Sequence, residues 1–367
     1  VSGRKRREPA GGPGADAGRE APAADAGAPD AATAAAAAAS DAGPGAAEGG
    51  LDDAQIAATL AALRPVAAVP AGHRAGFAAL VGRPNVGKST LLNALLERKL
   101  SIVTPKPQTT RHRILGLLNR PGYQVALVDT PGIHDGRRRM LNQYMNRSAT
   151  ASLDDADVIV LVIEALRWTD DDERVLERVK RAGRPTVLAV NKVDRARQKA
   201  RLLPYVEELS RRHEFAAVVP LSALKGDNVA RLPDVIGGLL PEGPPMFPED
   251  QLTDKSERFQ AAEIIREKLT LRLQEELPYG LTVEIEREEE LEDGRLAINA
   301  IVWVERPGQK AIVIGEGGGL LKEVGRAARL DLNVLYGRRV HLELWVKVKE
   351  NWADSAAALR SFGYEGS

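Results

Sequence analysis

Apolar positions recur along this chain in two rhythms, and the change between them divides it. Between Phe77 and Leu240, short apolar runs alternate with amphipathic stretches, as they do where helices cover a sheet. Strands are predicted over residues 77–81, 114–118, 125–129, 158–163, 186–191 and 216–221, and helices over 88–98, 171–181, 199–212 and 228–240. Together they imply an α/β domain on a doubly wound, mostly parallel sheet. Pro241, Pro244, Pro245 and Pro248 then crowd a span that neither a helix nor a central strand tolerates. Beyond them come a helix (256–276), two strands (282–287 and 295–305), a glycine-rich turn, a helix (320–335), a strand (340–349) and a last helix near Trp352, predicting a small α+β domain. The predicted division is 1–72, 73–243 and 244–367.

Up to Gly50 the chain has almost no large apolar side chain, and residues 34–39 are all Ala. Such a segment buries too little surface to offset its chain entropy, so 1–72 is read as a disordered extension. The cluster Arg4, Lys5, Arg6 and Arg7 is followed by small and polar residues, not by the apolar core of a secretory signal. Lys and Arg (51) balance Asp and Glu (51), so any nucleic-acid binding must come from a local site rather than a whole-chain field. The absence of cysteine excludes disulfides, thiolate metal sites and thiol nucleophiles. No apolar stretch reaches the length of a membrane-spanning helix.

Candidate chemistry begins where the first strand ends. Gly82, Arg83, Pro84, Asn85, Val86, Gly87, Lys88 and Ser89, followed by Thr90, fit the phosphate-binding loop G-x-x-x-x-G-K-[ST] between a strand and a helix. In such a loop backbone N–H groups curl around phosphates, the lysine reaches the β and γ phosphates, and the serine hydroxyl ligates Mg²⁺. Asp129, Thr130, Pro131 and Gly132 close a second strand, placing a carboxylate at the sheet's carboxyl edge for the metal and a Gly N–H for the γ phosphate. Asn191, Lys192, Val193 and Asp194 follow a third strand; the Asp194 carboxylate can accept from N1–H and the 2-amino group of guanine, donors that adenine lacks, so GTP and GDP are expected ligands. Ser222 and Ala223 are expected to present the Ala223 N–H to guanine O6. In Gln108-Thr109-Thr110-Arg111 a hydroxyl can complete the Mg²⁺ shell only when a γ phosphate is present, and the sequence leaves Thr109 and Thr110 open. Lys88, Thr109, Thr110, Asp129 and Gly132 are the candidate catalytic residues, with Ser89, Thr110 and Asp129 as candidate metal ligands. Ile133 stands where Ras-like enzymes orient water with glutamine, so slow intrinsic hydrolysis is expected.

The order of these motifs, with Gly82–Asn93 and Gln-Thr-Thr-Arg-His-Arg (108–113), resembles the Era family of bacterial ribosome-assembly GTPases, from about Phe77 to the C-terminus. The resemblance implies a GTPase switch that binds 16S rRNA near its 3′ end and assists 30S subunit maturation. It also implies a cytoplasmic monomer with peripheral contact to the inner membrane, and a K⁺ ion held by Asn85. The competing reading is an RNA-binding protein with a catalytically idle nucleotide domain.

In the second domain, Gly315-Glu316-Gly317-Gly318 fits the G-x-x-G clamp of a KH domain, and the surrounding element order is that of the type II KH arrangement. Lys322, Arg326 and Arg329 share one helix face and are candidate phosphate contacts. Trp345 alternates with the polar side of the last strand, where core packing beneath a helix is favoured over base stacking. Era clamps usually carry lysine between these glycines, whereas Glu316 stands here and repels phosphate. Between Lys255 and Glu350 there are 16 Lys and Arg against 18 Asp and Glu, so affinity should rest on groove shape and base contacts more than on field.

Overall fold

The architecture follows from how each apolar run finds cover. In the computed structural model, residues 72–132, 139–196 and 199–364 are described. The predicted extension, Ile133 and the other residues between these segments lie outside them. Six strands, β1 (Arg74–Val81), β2 (Ile114–Arg120), β3 (Tyr123–Asp129), β4 (Val158–Glu164), β5 (Thr186–Asn191) and β6 (Ala217–Pro220), form a sheet in the order β2-β3-β1-β4-β5-β6. Only β2 runs antiparallel, as the hairpin partner of β3. Strands buried on both faces need helices on both. One face is covered by α1 (Lys88–Leu96), through Leu91, Leu92 and Leu95, and by a later helix (Arg231–Leu239), through Leu232 and Ile236. The other is covered by α2 (Met140–Asp154), α3 (Asp170–Ala182) and α4 (Leu202–Ser210), with Arg231–Leu239 counted next as α5.

Helix α2 is absent from the sequence-based reading. Its buried side, Leu141, Met145, Ala149, Ser152 and Leu153, has helical spacing, but small and polar residues dilute the apolar signal. The helix predicted over 199–212 begins with a single 3₁₀ turn before α4. The one predicted over 256–276 is α6 (Glu257–Arg272), stopped by extended Leu273 ahead of a 3₁₀ turn containing Pro278.

The second sheet has the order β7 (Leu281–Glu290), β8 (Leu296–Val304), β9 (Val340–Val348), with β7–β8 antiparallel and β8–β9 parallel. A parallel neighbour needs a crossover, here supplied by α7 (Pro307–Ile314) and α8 (Gly319–Leu335). The inward residues Leu296, Ile298, Ala300, Val302 and Val304 pack with Ala261, Ile265 and Leu269 of α6 and with Val324, Ala328 and Leu332 of α8. The resulting order, α6-β7-β8-α7-α8-β9, is that expected of a type II KH domain. Both sheets belong to one compact unit.

One expectation fails here. Trp345 is not core: it is 57% exposed, because the helices cover the opposite face of β9, the side of Val340, Val346 and the half-buried Leu342 and Leu344. The aromatic that is fully buried is Trp352, in the turn leading to α9 (Ala356–Ser361), where it packs with Leu141 and Met145 of α2.

Candidate functional site

Strand ends and the loops that leave them build a cavity of about 390 Å³ at the carboxyl edge of the larger sheet. Its walls include Pro84, Asn85, Gly87, Lys88, Ser89 and Thr90 from the loop after β1, Gln108, Thr109 and Thr110 before β2, Gly132 after β3, Asn191, Lys192 and Asp194 after β5, and Ala223 after β6. Five motifs separated in sequence thus meet at one place. Gly82, Arg83, Val86, Asp129, Thr130, Pro131 and Ser222 are buried just behind the surface, and Val193 sits in the 3₁₀ turn after Lys192. At Gly87, with φ +104°, a Cβ would lie 2.3 Å from the Asn191 amide nitrogen, so the phosphate loop can pass this close only as glycine.

Three oxygen-bearing side chains converge at the start of α1. Ser89 Oγ donates to Asp129 Oδ2 at 2.6 Å and lies 2.7 Å from Thr110 Oγ1, which is 3.4 Å from the same carboxylate oxygen. Asp129 is fully buried; burial pushes its carboxyl pKa up, against the opposing effects of these hydroxyls and Lys88. Its Oδ1 has no hydrogen-bond partner. A buried, unpaired carboxylate oxygen beside two hydroxyls is a hard donor set that suits Mg²⁺. The geometry also separates the two threonines: Thr110 turns into this cluster, whereas Thr109 Oγ1 donates to the Lys106 carbonyl at 2.7 Å and lies 2.6 Å from Thr104 Oγ1. Ser101, missed by motif reading, donates to Asp129 Oδ2 at 2.7 Å; it lies in an irregular loop with no spacing to mark it.

Lys88 Nζ donates to the carbonyls of Gly82 at 3.0 Å and Arg83 at 3.1 Å. Burial lowers its pKa to about 8, with Asp129 pulling the other way. Behind the loop, Arg83 donates to Asp172 at the start of α3 and to Glu164 at the end of β4, each at 3.0 Å. Glu164 also pairs with Lys192 at 3.2 Å, and Lys192 donates to the Asn85 carbonyl at 2.7 Å. Glu164 therefore ties the phosphate loop to the base-reading motif, although it belongs to no motif itself.

On the base side, Asp194 is exposed and accepts from Ser222 Oγ at 2.6 Å, which orients its carboxylate. Asn191 Oδ1 accepts from the Lys192 and Ala223 N–H groups at 2.8 and 2.9 Å, and its amide donates to the Val86 carbonyl at 2.8 Å. The Ala223 N–H, expected to face guanine, donates to Asn191 Oδ1 in this arrangement, where the two loops pack closely.

The loop carrying Thr110 is held from the KH side. Arg266 of α6 donates to the Thr109 carbonyl at 2.5 Å and pairs with Glu263 at 2.6 Å. Burial pushes Glu263 up, but the Arg266 guanidinium outweighs this and holds it below the usual range. Glu267 accepts the Val103 N–H at 3.0 Å and pairs with Lys99 at 2.5 Å, and Lys106 donates to the Leu273 carbonyl. Arg111, 1% exposed, donates to the carbonyls of Pro278 and Leu281 at 2.7 Å each. His112 stacks on Tyr364 with ring centres 4.3 Å apart.

The second candidate site lies between α7 and α8. Gly315, Gly317 and Gly318 all have positive φ, and a Cβ at Gly315 would meet Leu320 Cβ at 2.8 Å. Glu316 and Gly317 are exposed at the turn, as are Lys322, Arg326 and Arg329 along α8.

Comparison with known proteins finds two family models along the chain. Residues 77–192 match the family model described as 50S ribosome-binding GTPase, and residues 276–353 match the KH domain model. The chain is 52% identical to GTPase Era of Stenotrophomonas maltophilia (strain K279a) over 80% of this chain and 98% of that protein. It is 51% identical to GTPase Era of Marinobacter nauticus, over 79% and 95%. Among solved structures it resembles Era in complex with MgGDPNP and nucleotides 1506–1542 of 16S ribosomal RNA, with 41% identity, a TM-score of 0.77 and coverage of 80% of this chain and 99% of that one. A variant of Aquifex aeolicus Era bound to GDP.AlF4- gives the same identity and TM-score over 79% and 99%.

Proposed function

This chain belongs to the Era family of GTPases, and from that premise we propose that its GTP cycle governs how its KH domain holds the 3′ region of 16S rRNA during assembly of the small ribosomal subunit. The observation that carries this reading is that Thr110, 2.7 Å from Ser89 at the candidate metal cluster, lies on a loop whose neighbouring main chain is gripped by Arg266 of the KH domain. In this reading, ordering Thr110 around a nucleotide also sets where α6 rests.

Ser89, Thr110 and Asp129 would hold Mg²⁺, which neutralises charge on the β and γ phosphates when bound. Lys88 adds a cation to the same phosphates, and the N–H groups around Gly87 at the start of α1 favour anions there. Asp194, oriented by Ser222, selects guanine. Positioning and charge at the phosphates then carry catalysis. Asn85, whose amide donates to the Pro105 carbonyl at 3.0 Å, is the residue we assign to K⁺ in the space an arginine finger would fill. The same reading places the protein in the cytoplasm, acting on 30S particles as a monomer.

The test is GTP turnover with and without an RNA spanning the 3′ end of 16S rRNA. A change in turnover with RNA that disappears in Arg266→Ala supports the coupling; identical turnover with and without bound RNA overturns it.

A further inference from the structure

Strand register brings an acidic side chain to the seam between the two halves of the nucleotide cavity. Glu164, the last residue of β4, lies opposite Asn191 of β5, and the Ala165 N–H donates to the Asn191 carbonyl at 2.8 Å. The sheet itself therefore delivers Glu164 to the start of the base-reading motif. Only 17% of its side chain is exposed, and its Oε2 takes the Arg83 guanidinium at 3.0 Å and the Lys192 ammonium at 3.2 Å. Arg83 belongs to the loop that meets the phosphates, and Lys192 to the loop that meets the base. Burial pushes the Glu164 carboxyl up, but the hydrogen bonds from Arg83 and Lys192 outweigh this and hold it below the usual carboxylate range.

The backbone is strained where it makes this junction. After Glu164 the chain turns at once, with the Arg167 N–H on the Glu164 carbonyl at 3.2 Å and Leu166 at φ +58°, a conformation that a bulky side chain resists. Beyond the turn, Asp172 in the first turn of α3 reaches the other side of Arg83. Its Oδ2 accepts Arg83 Nε at 3.0 Å, and the Thr169 N–H and hydroxyl at 3.0 and 2.8 Å. Arg83 thus has two carboxylates, whereas Glu164 is the one carboxylate paired with Lys192 among the described residues. Without the Glu164 charge, Arg83 keeps its anchor on Asp172, but two cations face each other with nothing between them. Lys192, which donates to the Asn85 carbonyl at 2.7 Å, would then lose its hold on the phosphate loop.

We propose that Glu164 is a positioning residue for nucleotide retention: by holding Lys192 against the Asn85 carbonyl it locks the base-reading loop to the phosphate loop, and so sets the rate at which GDP leaves. The proposal rests on the nucleotide-binding reading of the cavity. GDP spans both loops, so it escapes when one swings away from the other. A ligand made of phosphate alone touches only the loop that Asp172 still anchors through Arg83.

The experiment loads the full chain with N-methylanthraniloyl-GDP and follows its release by stopped-flow fluorescence in wild type, Glu164→Ala, Glu164→Gln, Lys192→Met and the double variant Glu164→Ala/Lys192→Met. Glu164→Ala should speed release about 10- to 100-fold, and Glu164→Gln, whose amide oxygen can still accept both donors, should recover part of that. The double variant should release GDP no faster than Lys192→Met alone, because the two residues act as one unit. Affinity for inorganic tripolyphosphate, measured by calorimetry, should be the same in wild type and Glu164→Ala. Circular dichroism checks folding, and if Glu164→Ala does not fold, Glu164→Gln takes its place in each comparison. Release from Glu164→Ala at the wild-type rate, or additive effects in the double variant, overturns the lock. So does an equal loss of tripolyphosphate affinity, which would mark general damage to the phosphate loop. If wild type does not retain GDP at all, the nucleotide-binding reading falls and the lock with it.

Discussion

Asp194 and Lys88 each have a consequence that a single substitution or a pH series exposes. If Asp194 reads guanine, Asp194→Asn should weaken GTP by about 10⁴-fold and favour xanthine nucleotides, measured by nucleotide competition; an unaltered GTP affinity refutes the role. Lys88 must be protonated to meet a phosphate, and burial holds it near pKa 8 in the nucleotide-free protein. Nucleotide affinity should accordingly be flat below pH 8 and fall as pH rises through it, because the proton must then be taken up on binding. His112 works in the opposite range. Burial depresses its pKa from 6.5 to about 4, so the unfolded chain binds the proton first and stability is lost as pH falls from 6.5 towards 4. The loss is on the order of 3 kcal/mol, and His112→Phe should flatten that part of a urea-denaturation pH series.

At the level of elements, the most informative piece has no regular structure at all. The loop between α1 and β2 takes its shape from partners on α6 and the chain after it. Arg111→Ala would leave the buried carbonyls of Pro278 and Leu281 without their donor. It should cost about 2 to 5 kcal/mol in chemical denaturation, with a larger fractional loss of GTP than of GDP affinity. The strands were legible because their apolar runs are short and bounded, and the phosphate loop because its glycines sit between a strand and a helix. Helix α2 was not legible, since Asn142, Gln143, Asn146 and Ser148 weaken the periodicity that Leu141, Met145 and Ala149 keep. Ser101, Glu164 and the Ala223–Asn191 bond were hidden for another reason: each depends on a distant segment arriving beside it, which local pattern does not encode. Trp345 was misjudged because alternation assigns a side chain to one of two faces without saying which one the helices cover.

Across the whole molecule, the loop between α1 and β2, which lines the nucleotide cavity, is held by main-chain and side-chain contacts from α6 and the chain after it. On the proposed reading the hydrolysis rate is a property of both domains. In single-turnover measurements the unassisted rate should lie at or below about 10⁻⁴ s⁻¹ in sodium and rise in potassium; equal rates in the two salts remove the ion and Asn85 from the mechanism.

The packing of Trp352 on α2 and of Tyr364 on His112 has a bearing on biogenesis. During translation the larger sheet and its phosphate loop emerge well before these two aromatics, so a nascent or prematurely ended chain has the parts to capture a nucleotide but lacks the final clasp around the sensing loop. Only a polypeptide made through to Tyr364 can place both aromatics, one against α2 and one against His112.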